Sequence, residues 1–239
     1  MKNFYLPTRE LHYIVQHVKI KQEGEFYMKN LLKKCFVELL GTFFFIFTIC
    51  CSIFPNGRGA FPPLAIGFAL IVLVYMGGTI SGGHYNPAVS LAASVRGALK
   101  WRDFIPYVIS QIIGGSLGAL IAGYIVAIPP YSNETSFSII PMTICEFLFT
   151  FLLCYVVLQV TTSEKTKGNS YFGFAIGSVV LIGLLATVGT CYGAFNPAVA
   201  LGLLVIGFAQ CKFILITILT NFVAGAAAAG VYKLTEIND

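Results

Sequence analysis

The tripeptide Asn-Pro-Ala occurs twice in this chain, and each copy interrupts an apolar segment. The copies are Asn86-Pro87-Ala88 and Asn196-Pro197-Ala198. Asn is a strong helix N-cap and Pro suits the first helical position, so each copy predicts the start of a helix. The apolar stretches that follow, Val89–Val95 and Val199–Ile206, give helices of about 10 residues, roughly 15 Å or half of a bilayer core of about 30 Å. We therefore expect two half-length helices that enter a membrane from opposite sides and meet at its middle.

Composition supports a membrane setting. Of 239 residues, 57% are hydrophobic and 10% are charged, and the mean hydropathy is +0.82, whereas a soluble domain has about 25% charged residues. Further apolar runs approach the length of about 20 residues that a transmembrane helix needs: Leu39–Phe54, Pro63–Gly78, Phe104–Ile128, Ile139–Val160, Phe172–Val188 and Phe213–Tyr232. The sequence thus predicts an all-α membrane protein with six transmembrane helices and two re-entrant half-helices.

The placement of Lys and Arg predicts the orientation. Except for Arg58 and Lys212, they lie in the N-terminal tail, in the loops Arg96–Arg102 and Lys165–Lys167, or in the C-terminal tail. The positive-inside rule then places both termini in the cytoplasm, for a multi-pass protein of the inner (plasma) membrane. The net charge of +5 follows from this topology and does not indicate nucleic-acid binding.

An internal repeat connects the two Asn-Pro-Ala copies. Landmarks recur at a spacing of about 110 residues, as expected of an inverted-repeat transport fold: Glu38 at Glu146, Ile66 at Ile176, Asn86 at Asn196, and Gln111 at Asn221. We predict repeats at residues 33–128 and 138–234, within a membrane domain of residues 29–235. Residues 1–28 are expected to be a cytoplasmic tail or a start-site extension, because Met28-Lys29-Asn30 repeats the first three residues. Each repeat holds three spans, an odd number, so the second must be inverted in the membrane.

The duplicated asparagines predict the chemistry of the pathway between the repeats. Each Asn oxygen can cap its own helix, which would direct the amide NH2 donors into the lumen. The two facing helix N-termini each have a charge of about +0.5 and oppose the passage of cations. This arrangement favours a channel for neutral polar solutes.

These motifs resemble those of the aquaporin (major intrinsic protein) family. The resemblance rests on Ser81-Gly-Gly-His84-Tyr-Asn86-Pro-Ala-Val and on Phe195-Asn196-Pro-Ala, and it extends from about Lys33 to Lys233. It implies a right-handed bundle, a homotetramer with one pore per subunit, and no cofactor. It also implies that Glu38 and Glu146 are buried and accept hydrogen bonds from the re-entrant loops. His84 would lie near the cytoplasmic pore mouth, either lining the pore or bracing the loop.

The chain departs from the family at the aromatic/arginine ring that usually selects solutes. Counted from the Asn-Pro-Ala motifs, the four ring positions are Ile66, Leu184, Gly193 and Val199, and Val199 replaces the arginine. Water that crosses an apolar ring loses about 1–3 kcal/mol for each unpaired hydrogen-bonding group. We therefore expect a wider pore that passes glycerol, urea or metalloid hydroxides such as arsenite besides water. Bacterial aquaporins associated with arsenic resistance are similar in having Val at this position.

Two other classes of function stay open. A secondary transporter would share the inverted repeat but would need ion-coupling carboxylates near the midplane, whereas Glu38 and Glu146 lie far in sequence from the Asn-Pro-Ala loops. A junctional or structural membrane protein with a vestigial pore would need long outer loops. No enzyme, metal site or cofactor is expected, because no catalytic constellation recurs at the pore and the 7 Cys lack metal-binding spacing. The expected partners are the lipid bilayer, small neutral solutes and further copies of the chain.

Overall fold

The computed structural model describes residues 8–53, 61–126 and 137–236, with side chains from Lys21 onward. All regular structure in these ranges is helical, which confirms the predicted fold class. The helices are α1 (Thr8–Ile53), α2 (Pro62–Ser81), α3 (Pro87–Arg96), α4 (Trp101–Val126), α5 (Ile139–Thr162), α6 (Phe172–Ala186), α7 (Pro197–Val205) and α8 (Cys211–Thr235), with a 3-10 turn at Glu164–Thr166. Arg58 and residues 127–136 lie outside the described ranges.

Five of these helices are long and apolar enough to cross a membrane: α1 from Lys21, α2, α4, α5 and α8. The sixth expected span, Phe172–Val188, is shorter than predicted, because α6 has 15 residues. The Thr187 hydroxyl donates to the carbonyl oxygen of Gly183 at 2.8 Å, and Gly189 adopts a φ of +75°. Thr187 is the C-cap of α6, and the chain then turns into the re-entrant loop. The first helix is longer than predicted, since α1 continues through the N-terminal segment from Thr8.

The two half-helices are α3, with 10 residues, and α7, with 9 residues. Each begins at the proline of an Asn-Pro-Ala copy. Gly97 ends α3 in the left-handed conformation, with a φ of +91°. Gly207, just after α7, also adopts a positive φ, of +68°.

Glycines permit close contacts between helices of the bundle. A Cβ at Gly114 would overlap the carbonyl oxygen of Leu39, so α4 packs directly on the backbone of α1. A Cβ at Gly225 would lie 2.6 Å from the carbonyl oxygen of Ala88, which places α8 against α3. Small residues at such contacts are typical of membrane helices. The contact at Gly225 thereby holds the half-helix α3 close to α8.

Candidate pore

The two re-entrant loops reach their half-helices through strained residues. Tyr85 and Phe195, each directly before an asparagine, have φ values of +47° and +48°, a conformation that is uncommon for residues other than glycine. The carbonyl oxygen of Phe195 accepts a hydrogen bond from Asn86 Nδ2 at 2.9 Å. The carbonyl oxygen of Tyr85 accepts one from Asn196 Nδ2 at 2.9 Å. The strain therefore accompanies a reciprocal bond between the two repeats.

The asparagine oxygens cap the half-helices. Asn86 Oδ1 accepts from the N–H of Ala88 at 2.8 Å, and Asn196 Oδ1 accepts from the N–H of Ala198 at 2.9 Å. An asparagine amide has two N–H donors, and these bonds together with the reciprocal pair engage one donor and the oxygen of each side chain. Both asparagines also line a small cavity between the half-helices.

A buried glutamate holds the loop of the first repeat. Glu38 in α1 is fully buried. Its Oε1 accepts from the Ser81 hydroxyl at 2.7 Å and from the N–H of His84 at 3.0 Å. Its Oε2 accepts from the N–H of Tyr85 at 2.7 Å and from Gln111 Nε2 at 2.9 Å. Four donors on one carboxylate supply the partners that a buried charge requires.

The second repeat reproduces this network with different donors. Glu146 in α5 is fully buried. Its Oε1 accepts from the N–H of Ala194 at 2.9 Å. Its Oε2 accepts from the N–H of Phe195 at 2.9 Å and from Asn221 Nδ2 at 3.2 Å. The Cys191 thiol also lies beside this carboxylate.

Sequence reasoning missed the role of two amide side chains. Gln111 and Asn221 were noticed only as landmarks of the repeat, yet each connects a buried glutamate to a second residue. Gln111 Nε2 also donates to the Ser90 hydroxyl at 2.9 Å, and Asn221 Nδ2 donates to the Thr150 hydroxyl at 2.9 Å. Their equivalent positions in an otherwise apolar repeat were the signal that could have revealed this role, because buried polar side chains need partners.

Three cavities follow one another through the bundle. The filter cavity, of about 160 Å³, is lined by all four predicted ring residues and by further apolar side chains. The asparagine cavity, of about 20 Å³, lies between the half-helices. The mouth cavity, of about 610 Å³, is lined by polar and apolar residues on the other side, including His84. Together they have the form of a pathway through the centre of the protein.

Comparison with known proteins identifies the family. The sequence profile of the Major intrinsic protein family matches residues 25–232. The chain belongs to this family. It is a multi-pass membrane channel for water and small solutes, and it is not an enzyme.

Similar major intrinsic proteins come from animals and plants. "Aquaporin-8" of Notomys alexis is 39% identical over 183 residues, which cover 72% of this chain and 70% of that protein. "Aquaporin NIP1-2" of Arabidopsis thaliana is 32% identical over 230 residues, which cover 87% and 76%. The solved structure of the aquaglyceroporin from Plasmodium falciparum aligns with a TM-score of 0.68 at 21% identity, covering 86% of this chain and 96% of that one, and shows the same fold. The bacterial type stays a prediction.

The four predicted ring positions of this family member come together on one cavity. Ile66 and Val199 are nearly inaccessible, at 3% and 2% exposure, and they line the filter cavity with Leu184 and Gly193. Gly193 has a φ of +64°, and a Cβ there would lie 2.6 Å from Leu184 Cδ2. A side chain at position 193 would therefore fill part of the ring.

His84 both lines the pathway and braces its loop. Its ring borders the asparagine cavity and the mouth cavity. Its Nδ1 lies 3.0 Å from the Ser90 hydroxyl, and the ring packs against Tyr107 at 5.5 Å between centroids. The two roles that the sequence left open for His84, lining the pore and bracing the loop, are therefore compatible. Among the described residues, no group of His, Cys, Asp and Glu is placed to hold a metal ion.

Proposed function

We propose that this family member is a passive channel for neutral solutes larger than water, including glycerol, urea and metalloid hydroxides such as arsenite. The main support is the filter cavity, where Val199 occupies the position of the family's arginine and Ile66 and Leu184 supply only apolar surface. Water loses hydrogen bonds at such a ring. A larger solute with an apolar side gains contact with it.

No nearby cation replaces the missing arginine in the described part of the chain. Lys212 is exposed in the first turn of α8 and does not border the filter cavity. Arg58 lies outside the described residues. The ring that supports our proposal therefore consists of apolar side chains and backbone.

The half-helices support the restriction to neutral solutes. The N-termini of α3 and α7 meet at the asparagine cavity, and each has a charge of about +0.5, which disfavours cations. Each asparagine retains a second amide N–H that can donate to a solute oxygen. A hydroxyl or carbonyl oxygen matches these donors.

The buried carboxylates argue against ion-coupled transport. Glu38 and Glu146 are fully buried and accept hydrogen bonds from the backbone N–H groups of the re-entrant loops. A carboxylate that fixes a loop in this way is not positioned to bind a coupling ion at the midplane. Solute flux that requires no ion gradient would distinguish a channel from a secondary transporter.

We also propose the assembly and orientation that the sequence predicts: a homotetramer in the inner (plasma) membrane with both termini in the cytoplasm, residues 1–28 as a tail and residues 29–235 as the channel domain. Large apolar side chains are exposed on the outside of the single chain, for example Val72 in α2, Ile140 in α5 and Leu219 in α8. Such surfaces suit contact with lipid or with other subunits.

The test is Val199→Arg in proteoliposomes, measured by stopped-flow with water, glycerol, urea and arsenite. We expect the larger solutes to be excluded while water permeation is kept or increased, because a guanidinium supplies hydrogen-bond donors and charge. Val199→Leu adds bulk without charge and separates narrowing from electrostatics. A wild-type channel that already rejects glycerol, urea and arsenite as strongly as Val199→Arg would overturn the proposal.

A further inference from the structure

The boundaries between the three cavities are formed by different residues. The filter cavity and the asparagine cavity share Phe45, Val180 and Ala194. The asparagine cavity and the mouth cavity share His84 and Val157. A residue that lines two successive cavities lies where a solute passes from one to the other. The group shared by the filter and asparagine cavities is therefore the first junction of the pathway, and the group shared by the asparagine and mouth cavities is the second junction.

The inverted repeat shows what is unusual about the first junction. Ala194 and His84 occupy equivalent positions, two residues before each asparagine. The first junction therefore has a methyl group where the second has an imidazole ring. The bulk at the first junction comes instead from α1, through the ring of Phe45.

The repeat also identifies the counterpart of Phe45. Leu153 lies seven residues after Glu146, as Phe45 lies after Glu38, and it borders only the asparagine cavity among the three described here. The pathway is therefore asymmetric, because α1 supplies a phenyl ring to the first junction, whereas the equivalent residue of α5 is an aliphatic leucine that borders neither junction. The Phe45 side chain is 3% exposed, so its ring is packed within the bundle and also borders the two cavities.

We infer that Phe45, which borders both cavities together with Val180 and Ala194, sets the upper size limit for solutes in this pore. This inference rests on the proposed function and concerns a residue outside the four ring positions. All four ring residues face the filter cavity of about 160 Å³, whereas a solute that has passed them must enter the asparagine cavity of about 20 Å³. The solute passes from the larger to the smaller cavity at the junction of Phe45, Val180 and Ala194, and Phe45 has the bulkiest of these three side chains. The apolar ring then admits solutes that the phenyl ring sorts by their cross-section.

The neighbourhood of Phe45 also defines the solute class. Phe45 and Val180 supply an apolar wall, and the asparagine donors follow directly beyond them in the same cavity. A solute with hydroxyl groups along one edge and carbon on the other can contact both. Linear polyols of increasing length are therefore suitable probes of the size limit.

The experiment compares Phe45→Ala with wild type in proteoliposomes, using the permeability ratio of erythritol to glycerol. We expect the ratio to rise by about tenfold, the change that about 1.4 kcal/mol in the barrier produces. The matched control is Phe44→Ala, the neighbouring residue on α1, which is 45% exposed on the outside of the chain. This control should leave the ratio unchanged.

A second variant keeps the test decisive if Phe45→Ala does not fold. Ala194→Leu adds bulk at the same junction while the backbone N–H of residue 194 can still donate to Glu146, and it should lower glycerol flux more than water flux. The double variant should return the ratio towards the wild-type value. If wild type conducts glycerol but neither variant alters selectivity, the inference is wrong. If wild type conducts no solute, the proposed function fails and the inference fails with it.

Discussion

Replacing Glu146 by glutamine tests whether the buried carboxylates position the pore loops. The carboxylate holds the second loop through the N–H groups of Ala194 and Phe195, both at 2.9 Å. Phe195 in turn supplies the carbonyl oxygen that accepts from Asn86 at 2.9 Å. A substitution at residue 146 should therefore alter the hydrogen bonding of Asn86 in the asparagine cavity, because only Phe195 lies between the two side chains in this chain of hydrogen bonds.

The magnitude follows from how glutamine can fit. If its NH2 takes the position of Glu146 Oε2, the glutamine can donate a hydrogen bond to Asn221, provided that the Asn221 side-chain amide flips so that its Oδ1 faces residue 146. The flip breaks no existing bond of Asn221 Oδ1, because this oxygen has no hydrogen-bond partner among the described residues. The Thr150 hydroxyl can then turn and donate to the reversed amide. The N–H of Phe195 then loses its acceptor. A hydrogen bond to a charged group contributes about 1.5–3 kcal/mol, which corresponds to a fall in Tm of about 3–12 °C for a chain of this size.

Thermal unfolding in detergent at one scan rate measures the loss, and stopped-flow measures the accompanying fall in solute flux. The matched control is Glu164→Gln, because Glu164 is exposed and pairs only at the surface with Lys167, at 3.0 Å. Exposed pairs contribute little to stability, so this variant should keep the wild-type Tm. If Glu146→Gln has the Tm of Glu164→Gln and the solute flux of wild type, the carboxylate does not position the loop and the reasoning is refuted.

Two further predictions concern packing and accessibility. Gly114→Ala should lower Tm, because the new methyl group would overlap the carbonyl oxygen of Leu39. The methyl group of Gly230→Ala would lie in open space, so this control should keep Tm or raise it slightly. Equal effects of the two changes on Tm would contradict the packing argument. Mercuric ion should block solute flux by binding to Cys191, which is 7% exposed but borders the filter cavity. Cys191→Ser should abolish the block, and Cys211→Ser should not. A block that survives Cys191→Ser would point to another site.

The elements defined by local chemistry could be predicted from the sequence. Asn followed by Pro predicts a helix start wherever it occurs, because capping involves only neighbouring residues, and both half-helices begin as expected. The inverted repeat was visible for the same reason, since landmarks at a constant spacing require no knowledge of the packing. The buried glutamates followed from the family resemblance.

The features that depend on contacts between the repeats could not be predicted. The reciprocal bonds from Asn86 and Asn196 require both loops to approach each other in space, and no sequence spacing reports that distance. The position of Phe45 between two cavities depends on the rotation of α1 within the bundle, which apolar patterning leaves open because α1 is hydrophobic on more than one face. The end of α6 at Ala186 could not be predicted either, because Thr187 and Val188, which follow it, are residue types that are common within membrane helices.

The differences between the repeats suggest how stability and selectivity are divided. In the first repeat the Ser81 hydroxyl donates to Glu38 at 2.7 Å, whereas the equivalent residue of the second repeat is Cys191, whose thiol is a weaker donor. The Tyr85 hydroxyl donates to the carbonyl oxygen of Leu73 at 2.9 Å, and its counterpart Phe195 has no hydroxyl. At these two positions the first loop therefore has hydroxyl hydrogen bonds where the second has a weaker thiol donor or none. Since the second loop and half-helix supply Gly193 and Val199 to the filter cavity, we expect substitutions in the second repeat to alter solute selectivity with smaller losses of stability than equivalent substitutions in the first.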